Sequence, residues 1–281
     1  MKRFFQRLGM ITLICLSFVY TEKVATVLIE VDDIMIKIKE EKEKYKVEPV
    51  NAIIKNNTII PGINGREVNE LKSYYKLKKI GQFHPENLEY ITLKPDISLT
   101  DNYDKYIISG NPLKRSVALL FLVEKNANID KIASSLKQKN VSGNFFVDST
   151  WFENNNEKVI SLIKEGHVIG NLSYNLNYNH SDFIWMDTII KKVGKQENGY
   201  CYSEKDNVQF LKICAINKNY TIRPSIIVKK YLALEVKEKL QSGSIISLPV
   251  NSIVEEEIEY IIDIISNKGL KIVTLNELLS E

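Results

Sequence analysis

Val117–Asn126 reads VALLFLVEKN, Val141–Trp151 reads VSGNFFVDSTW and Gly166–Tyr174 reads GHVIGNLSY. Two amphipathic runs separate them, so the order is strand, helix, strand, helix, strand, the alternation of parallel βα units. Val117 to Val123 is nearly all apolar, as a strand covered on both faces should be. Lys137, Lys139 and Asn140 close the first helix, and Gly166 marks the end of the second. Toward the C-terminus the pattern repeats. Parallel strands are expected to start near Val117, Gly143, His167, Tyr200, Tyr220, Ser244 and Leu270. Ser181 to Val193 reads as a helix burying Phe183, Ile184, Ile189, Ile190 and Val193. Asn207–Asn217 and Tyr231–Leu240 are further helices. Ser252-Ile253-Val254-Glu255 is a capping box opening a long helix that ends at Gly269.

Upstream the texture changes. Lys2, Arg3 and Arg7 precede an uncharged, mostly apolar run from Leu8 to Tyr20, ended by Thr21-Glu22-Lys23. That is the layout of an export signal, cleaved or kept as an anchor, with Val24-Ala25-Thr26 a poor cleavage site. Residues 1–30 are therefore assigned to a signal peptide or membrane anchor, and 31–46 to a charged spacer helix. Its apolar stripe is Ile34, Met35 and Ile38, followed by Lys39-Glu40-Glu41-Lys42-Glu43-Lys44. Residues 47–113 carry short strand-like runs, the turns Asn56-Asn57, Pro61-Gly62 and Asn64-Gly65, and a helix from Asn69 to Ile80 with Leu71, Tyr74, Tyr75 and Leu77 on its apolar side. This is a small α+β module. Residues 114–281 form the α/β domain.

The α/β stretch resembles the polysaccharide deacetylase (NodB-homology) family, whose fold is a distorted (β/α) barrel. Val117-Ala118-Leu119-Leu120-Phe121 stands where that family writes V-A-L-T-F. Asn144-Phe145-Phe146-Val147 matches T-F-F-V, and Glu165-Gly166-His167-Val168-Ile169-Gly170-Asn171 matches E-G-H-E-I-G-N. The resemblance continues through Gly243-Ser244-Ile245-Ile246 to Lys268–Leu275. It implies metal-dependent removal of acetyl groups from polysaccharide. One Asp and two His hold the metal, and a second Asp is the general base. Here Leu122 stands at the base position and Val123 at the metal-binding Asp. Leu172 and Leu176 stand at the two His. The segment Tyr200–Glu204 keeps none of the family's R-P-P-Y-G, and Pro249 stands where a His supplies the general acid. Leucine and valine donate no lone pair to a metal.

No catalytic residue, metal ligand or cofactor is therefore assigned. The three histidines, His84, His167 and His180, share no spacing that would rebuild the site. His167 opens a strand, away from the carboxyl ends where barrel chemistry lies. Asp148 ends the second strand on the correct rim, where a lone carboxylate reads first as a helix cap. Asp148, Asn171, Trp185, Tyr202, Glu204 and Glu124 are the ligand-binding candidates. The expected function is that of an exported, catalytically inactive deacetylase-like protein that binds cell-wall glycan or peptidoglycan, held at the membrane through its N-terminus. One alternative is an enzyme of altered mechanism using Glu124, Asp148 and Glu204. Another is a structural cell-surface partner. A pocket filled by Leu122, Leu172 and Leu176 would favour the structural partner. An open groove walled by Trp185, Tyr202 and Asp148 would favour glycan binding. The 281 residues carry 38 basic against 35 acidic side chains, a balance that argues against nucleic acid. Cys201 and Cys214, on a strand and the helix after it, are expected to be buried free thiols, although an exported chain admits a disulfide.

Overall fold

The computed structural model describes Met10, Val24 and residues 26–281 except Asn175 and Lys230. The basic flank, nearly all of the apolar run and Cys15, on which the expectation of export rests, lie outside the described residues. Among the described residues no helix is long and apolar enough to cross a membrane.

The strands, in chain order, are β1 (Ile53–Lys55), β2 (Thr58–Ile60), β3 (Gly65–Val68), β4 (Tyr90–Leu93), β5 (Tyr106–Ile107), β6 (Ser116–Val123), β7 (Asn144–Val147), β8 (Val168–Asn171), β9 (Tyr200–Tyr202), β10 (Tyr220–Ile222), β11 (Ile226–Ile227), β12 (Ile245–Pro249) and β13 (Lys271–Ile272). The chain divides into two compact units, Met1–Pro49 with Asn64–Lys94, and Val50–Ile63 with Pro95–Glu281. The 47–113 stretch thus contributes to both.

In the first unit β3 and β4 pair antiparallel. The helix Asp33–Tyr45 is capped by Asp32, whose side chain accepts from the Ile34 N–H. Its Met35 and Ile38 are buried with Val68, Tyr74, Leu77 and Leu88, so one side of this charged helix is a packed face. Its other side carries ion pairs such as Lys37–Glu41. The helix Glu70–Ile80 buries Ser73, Tyr74 and Leu77. Leu71 and Tyr75, expected on that face, are exposed, because Ser73 takes the buried position to exchange hydrogen bonds with the Glu89 backbone.

In the second unit an eleven-stranded sheet runs β1-β2-β5-β10-β9-β8-β7-β6-β12-β11, with β13 pairing the start of β6. Every neighbour from β2 to β11 is parallel, as the alternation predicts. The sheet curls as an open, distorted barrel in which β1 and β11 each have a single neighbour among the described residues. Along β6, Val117, Leu119, Phe121 and Val123 pack in one cluster with the covering helices, while Ala118, Leu120 and Leu122 belong to the cluster inside the curl. Period-two alternation with both faces apolar is why this strand carries no polar residue after Ser116. Gly170 sits opposite Phe146, and a Cβ there would lie 2.5 Å from the ring.

Three local expectations are corrected. The helix His180–Gly194 buries Phe183, Met186, Asp187 and Ile190, leaving Ile189 and Val193 exposed. Asp187 earns its place by accepting from Asn219 Nδ2 at 2.9 Å and pairing with Lys191. The long helix Ser252–Asn267 is capped by Asn251, whose Oδ1 accepts from the Val254 N–H, not by Ser252. Cys201 and Cys214 are a disulfide, not free thiols. Cys201 on β9 and Cys214 on the helix Val208–Ile216 are buried in one cluster with Phe183 and Phe210, and their Cα atoms lie 6.5 Å apart, within bridging range.

Candidate functional site

The carboxyl ends of β6, β7 and β8 lie side by side, and the residues following them make the rim. Leu122, Glu124, Asp148, Leu172 and Leu176 line a concavity of about 190 Å³ there. Three of these five are the leucines that the resemblance puts at the positions of the family's base and two histidines. Val123 does not join them. It points to the helix side of β6 because it is one residue out of phase with Leu122. Pro249, at the end of β12, pairs in register with Leu122.

Of the six ligand-binding candidates, the structure brings only Asp148 and Glu124 together in this concavity. Asp148 is buried and caps the helix Ser149–Asn154. Its Oδ1 accepts from the Thr150 N–H at 2.8 Å and the Trp151 N–H at 3.3 Å. Glu124 is exposed at the mouth. Asn171 is buried inside the scaffold, with Oδ1 accepting from the Ser173 N–H and Nδ2 donating to the Phe183 carbonyl. Tyr202 is buried and its hydroxyl meets Ser247 Oγ at 2.9 Å and Glu204 Oε1 at 3.2 Å. Burial raises its pKa first of all, and Glu204 adds to that while Ser247 opposes it. Glu204 is exposed and holds this phenol rather than the concavity. Trp185 is half-buried against Phe152 and Tyr174.

The loop after β8 shapes the rim. Ser173 and Leu176 both have left-handed φ, 53° and 59°, and a bridge joins Tyr174 to Asn177. A left-handed leucine stores backbone strain that the surrounding contacts must offset. Tyr178 holds the loop's far end: its hydroxyl donates to the Tyr202 carbonyl at 3.0 Å, and its ring stacks on Phe210 at 3.8 Å. Sequence reasoning missed Tyr174 and Tyr178. The signal available was their position, two aromatic residues in a rim loop.

His167 sits at the opposite end of the strands. Its Nδ1 accepts from the Gly143 N–H at 3.0 Å, and burial lowers its pKa, with Glu165 opposing. It is a scaffold residue. Among the described residues no group of three or more His, Cys, Asp or Glu is placed to hold a metal ion.

Residues 109–200 match the family model of polysaccharide deacetylases. An uncharacterised protein of Bacillus subtilis, YlxY, is 29% identical over 269 residues, 85% of this chain and 81% of the relative. A wild-type protein of Bacillus anthracis described as a CE4 family pseudoenzyme shares the fold, with a TM-score of 0.65 and 24% identity over 89% of this chain and 96% of that one. A mutant of that pseudoenzyme with restored enzymatic activity matches with a TM-score of 0.66 and 23% identity, over 89% of this chain and 99% of that one. A peptidoglycan N-acetylglucosamine deacetylase matches at 0.55 and 22% identity, over 63% of this chain and 94% of its own.

Proposed function

We propose that the protein is an exported, non-hydrolytic relative of the polysaccharide deacetylases that binds N-acetylated cell-wall glycan at its rim concavity. The observation that carries this reading is the convergence of Leu122, Leu172 and Leu176 in one concavity at the catalytic rim. Side chains that cannot bind a metal or move a proton occupy the places where the deacetylase reaction needs both. The likeness of the fold to a Bacillus anthracis pseudoenzyme supports the same reading. The concavity stays open, and its leucines suit an acetyl methyl group while Glu124 offers an acceptor for amide or hydroxyl hydrogens. An altered-mechanism enzyme gains little support, since Glu204 lies elsewhere and Asp148 is committed to two backbone N–H groups.

The leucine lining also favours the second reading, a structural surface protein whose rim is closed to sugars. Binding of chitotetraose by the purified full chain, followed by calorimetry, separates the two: measurable heat supports glycan binding, and none supports the structural role. Export is supported by Lys2, Arg3 and Arg7 ahead of the apolar run. The Cys201–Cys214 disulfide suits the oxidising side of the membrane. Fractionation of a tagged chain tests this, and recovery of the intact chain in the cytoplasm would refute it.

A further inference from the structure

The Cys201–Cys214 disulfide belongs to the packing that holds one end of the rim loop. Cys201, Cys214, Phe183 and Phe210 are buried as one cluster, and Tyr178 and Ile184 pack against it. The Tyr178 ring stacks on Phe210 at 3.8 Å and meets Phe183 edge-on at 6.1 Å. Its hydroxyl donates to the carbonyl of Tyr202, the residue after Cys201, at 3.0 Å. Tyr178 therefore grips both sides of the bridge: the strand β9 through Tyr202, and the helix Val208–Ile216 through Phe210.

The two halves of the loop are held differently. In the first half the Ser173 carbonyl accepts from the Ser149 N–H at 2.8 Å, and the Tyr174 hydroxyl donates to Glu153. Neither bond involves the disulfide cluster. In the second half Leu176 has a left-handed backbone, φ 59°, which a residue with a Cβ keeps only under constraint from its surroundings. Leu176 is 52% exposed, so burial does not supply that constraint. The Asn177 N–H donates to the Tyr174 carbonyl at 2.8 Å, and the next residue is Tyr178. The grip of Tyr178 on the bridged platform is what places Leu176 in the wall of the concavity.

We propose that the Cys201–Cys214 disulfide is a redox latch on the rim concavity. Oxidised, it fixes the platform under Tyr178 and with it the position of Leu176. Reduced, it lets the second half of the loop open. Closing the latch turns two thiols into one S–S bond; two protons leave, and two electrons pass to a disulfide-bearing oxidant that becomes a dithiol. The latch gives the proposed binding site its regulation, and its use in the cell rests on the export reading. A chain still in a reducing cytoplasm carries an unfinished rim, which is completed on the oxidising side of the membrane.

Amide hydrogen exchange of the full chain is the test, on the oxidised protein, the phosphine-reduced protein and the Cys201→Ala, Cys214→Ala double variant. Both cysteines are fully buried, so reduction is verified by alkylation and mass, and folding by near-ultraviolet circular dichroism. In both bridge-free proteins the Asn177 amide should exchange about tenfold faster or more, the factor that 1.4 kcal/mol of easier local opening sets. The Ser149 amide and those of β6 should keep their oxidised rates. Tyr178→Leu in the oxidised chain should speed Asn177 in the same way, and reduction should then add little. An unchanged Asn177 rate in the folded, fully reduced wild type overturns the latch and leaves the concavity reading standing. An equal rise in β6 overturns it as well, since the bridge then steadies the whole domain. Loss of the concavity reading is seen separately, as absence of heat with chitotetraose.

Discussion

Asp148 is the position where a structural and a chemical account part most clearly. Its Oδ1 serves two backbone N–H groups at the start of a helix, and the Trp151 N–H it meets is buried. Replacing an N-cap with alanine costs about 0.5–2 kcal/mol. A buried donor left without a partner costs about 1–3 kcal/mol, which moves Asp148→Ala toward the upper end, about 2 kcal/mol. For a domain of this size each kcal/mol lowers Tm by roughly 2–4 °C, so the expected fall is about 4–8 °C. Asn keeps the acceptor oxygen and ranks with Asp as a cap, so Asp148→Asn should lose less than about half as much. Differential scanning calorimetry of the three proteins is the assay. Equal losses in the two variants would mean that the charge matters and that the capping argument is wrong. No loss in the alanine variant would refute it altogether.

The Cys201–Cys214 bridge spans a sequence separation of 13, close to the 15-residue loop for which chain entropy gives about 3 kcal/mol. The double alanine variant and the reduced wild type should therefore lose similar stability in urea unfolding, and a difference above about 1.5 kcal/mol between them would count against a purely cross-linking role. Burial holds the His167 imidazole below its ordinary pKa of 6.5. The unfolded chain then takes up a proton that the folded chain refuses. That contribution is full above pH 6.5, declines as the pH falls through it, and levels off below the folded value. His167→Gln should flatten this part of the stability–pH curve; an unchanged slope would show the titration lies elsewhere. Leu172 and Leu176 share their concavity with Glu124, so Leu172→His with Leu176→His places two imidazoles beside a carboxylate. Zinc binding by equilibrium dialysis should appear in that double variant, and its absence would argue that the leucines do not occupy ligand positions.

The sheet was readable because its signal is long. Val117–Val123 is an unbroken apolar run, and amphipathic helices alternate with the strands after it, so the parallel direction of the strands followed. Tyr106–Ile107 and Ile226–Ile227 were invisible: two residues give no periodicity, and their pairing is decided by what the neighbouring strands leave open. The disulfide was misjudged because spacing along the chain says nothing about how a strand and its following helix face each other. At the site, the loss of Asp and His was plain from residue identity alone. Which residues converge was not. Val123 turns away by strand alternation, Tyr202 and Asn171 are consumed by Ser247, Ser173 and Phe183, and Trp185 finds partners in Phe152 and Tyr174 that are distant in sequence.

The most direct test of the central claim is metal analysis of the purified full chain together with acetate release from chitotetraose and peptidoglycan. With Leu122, Leu172 and Leu176 at the rim, the account expects no stoichiometric zinc and acetate release no faster than without protein. Stoichiometric zinc with acetate release that chelation abolishes would contradict it.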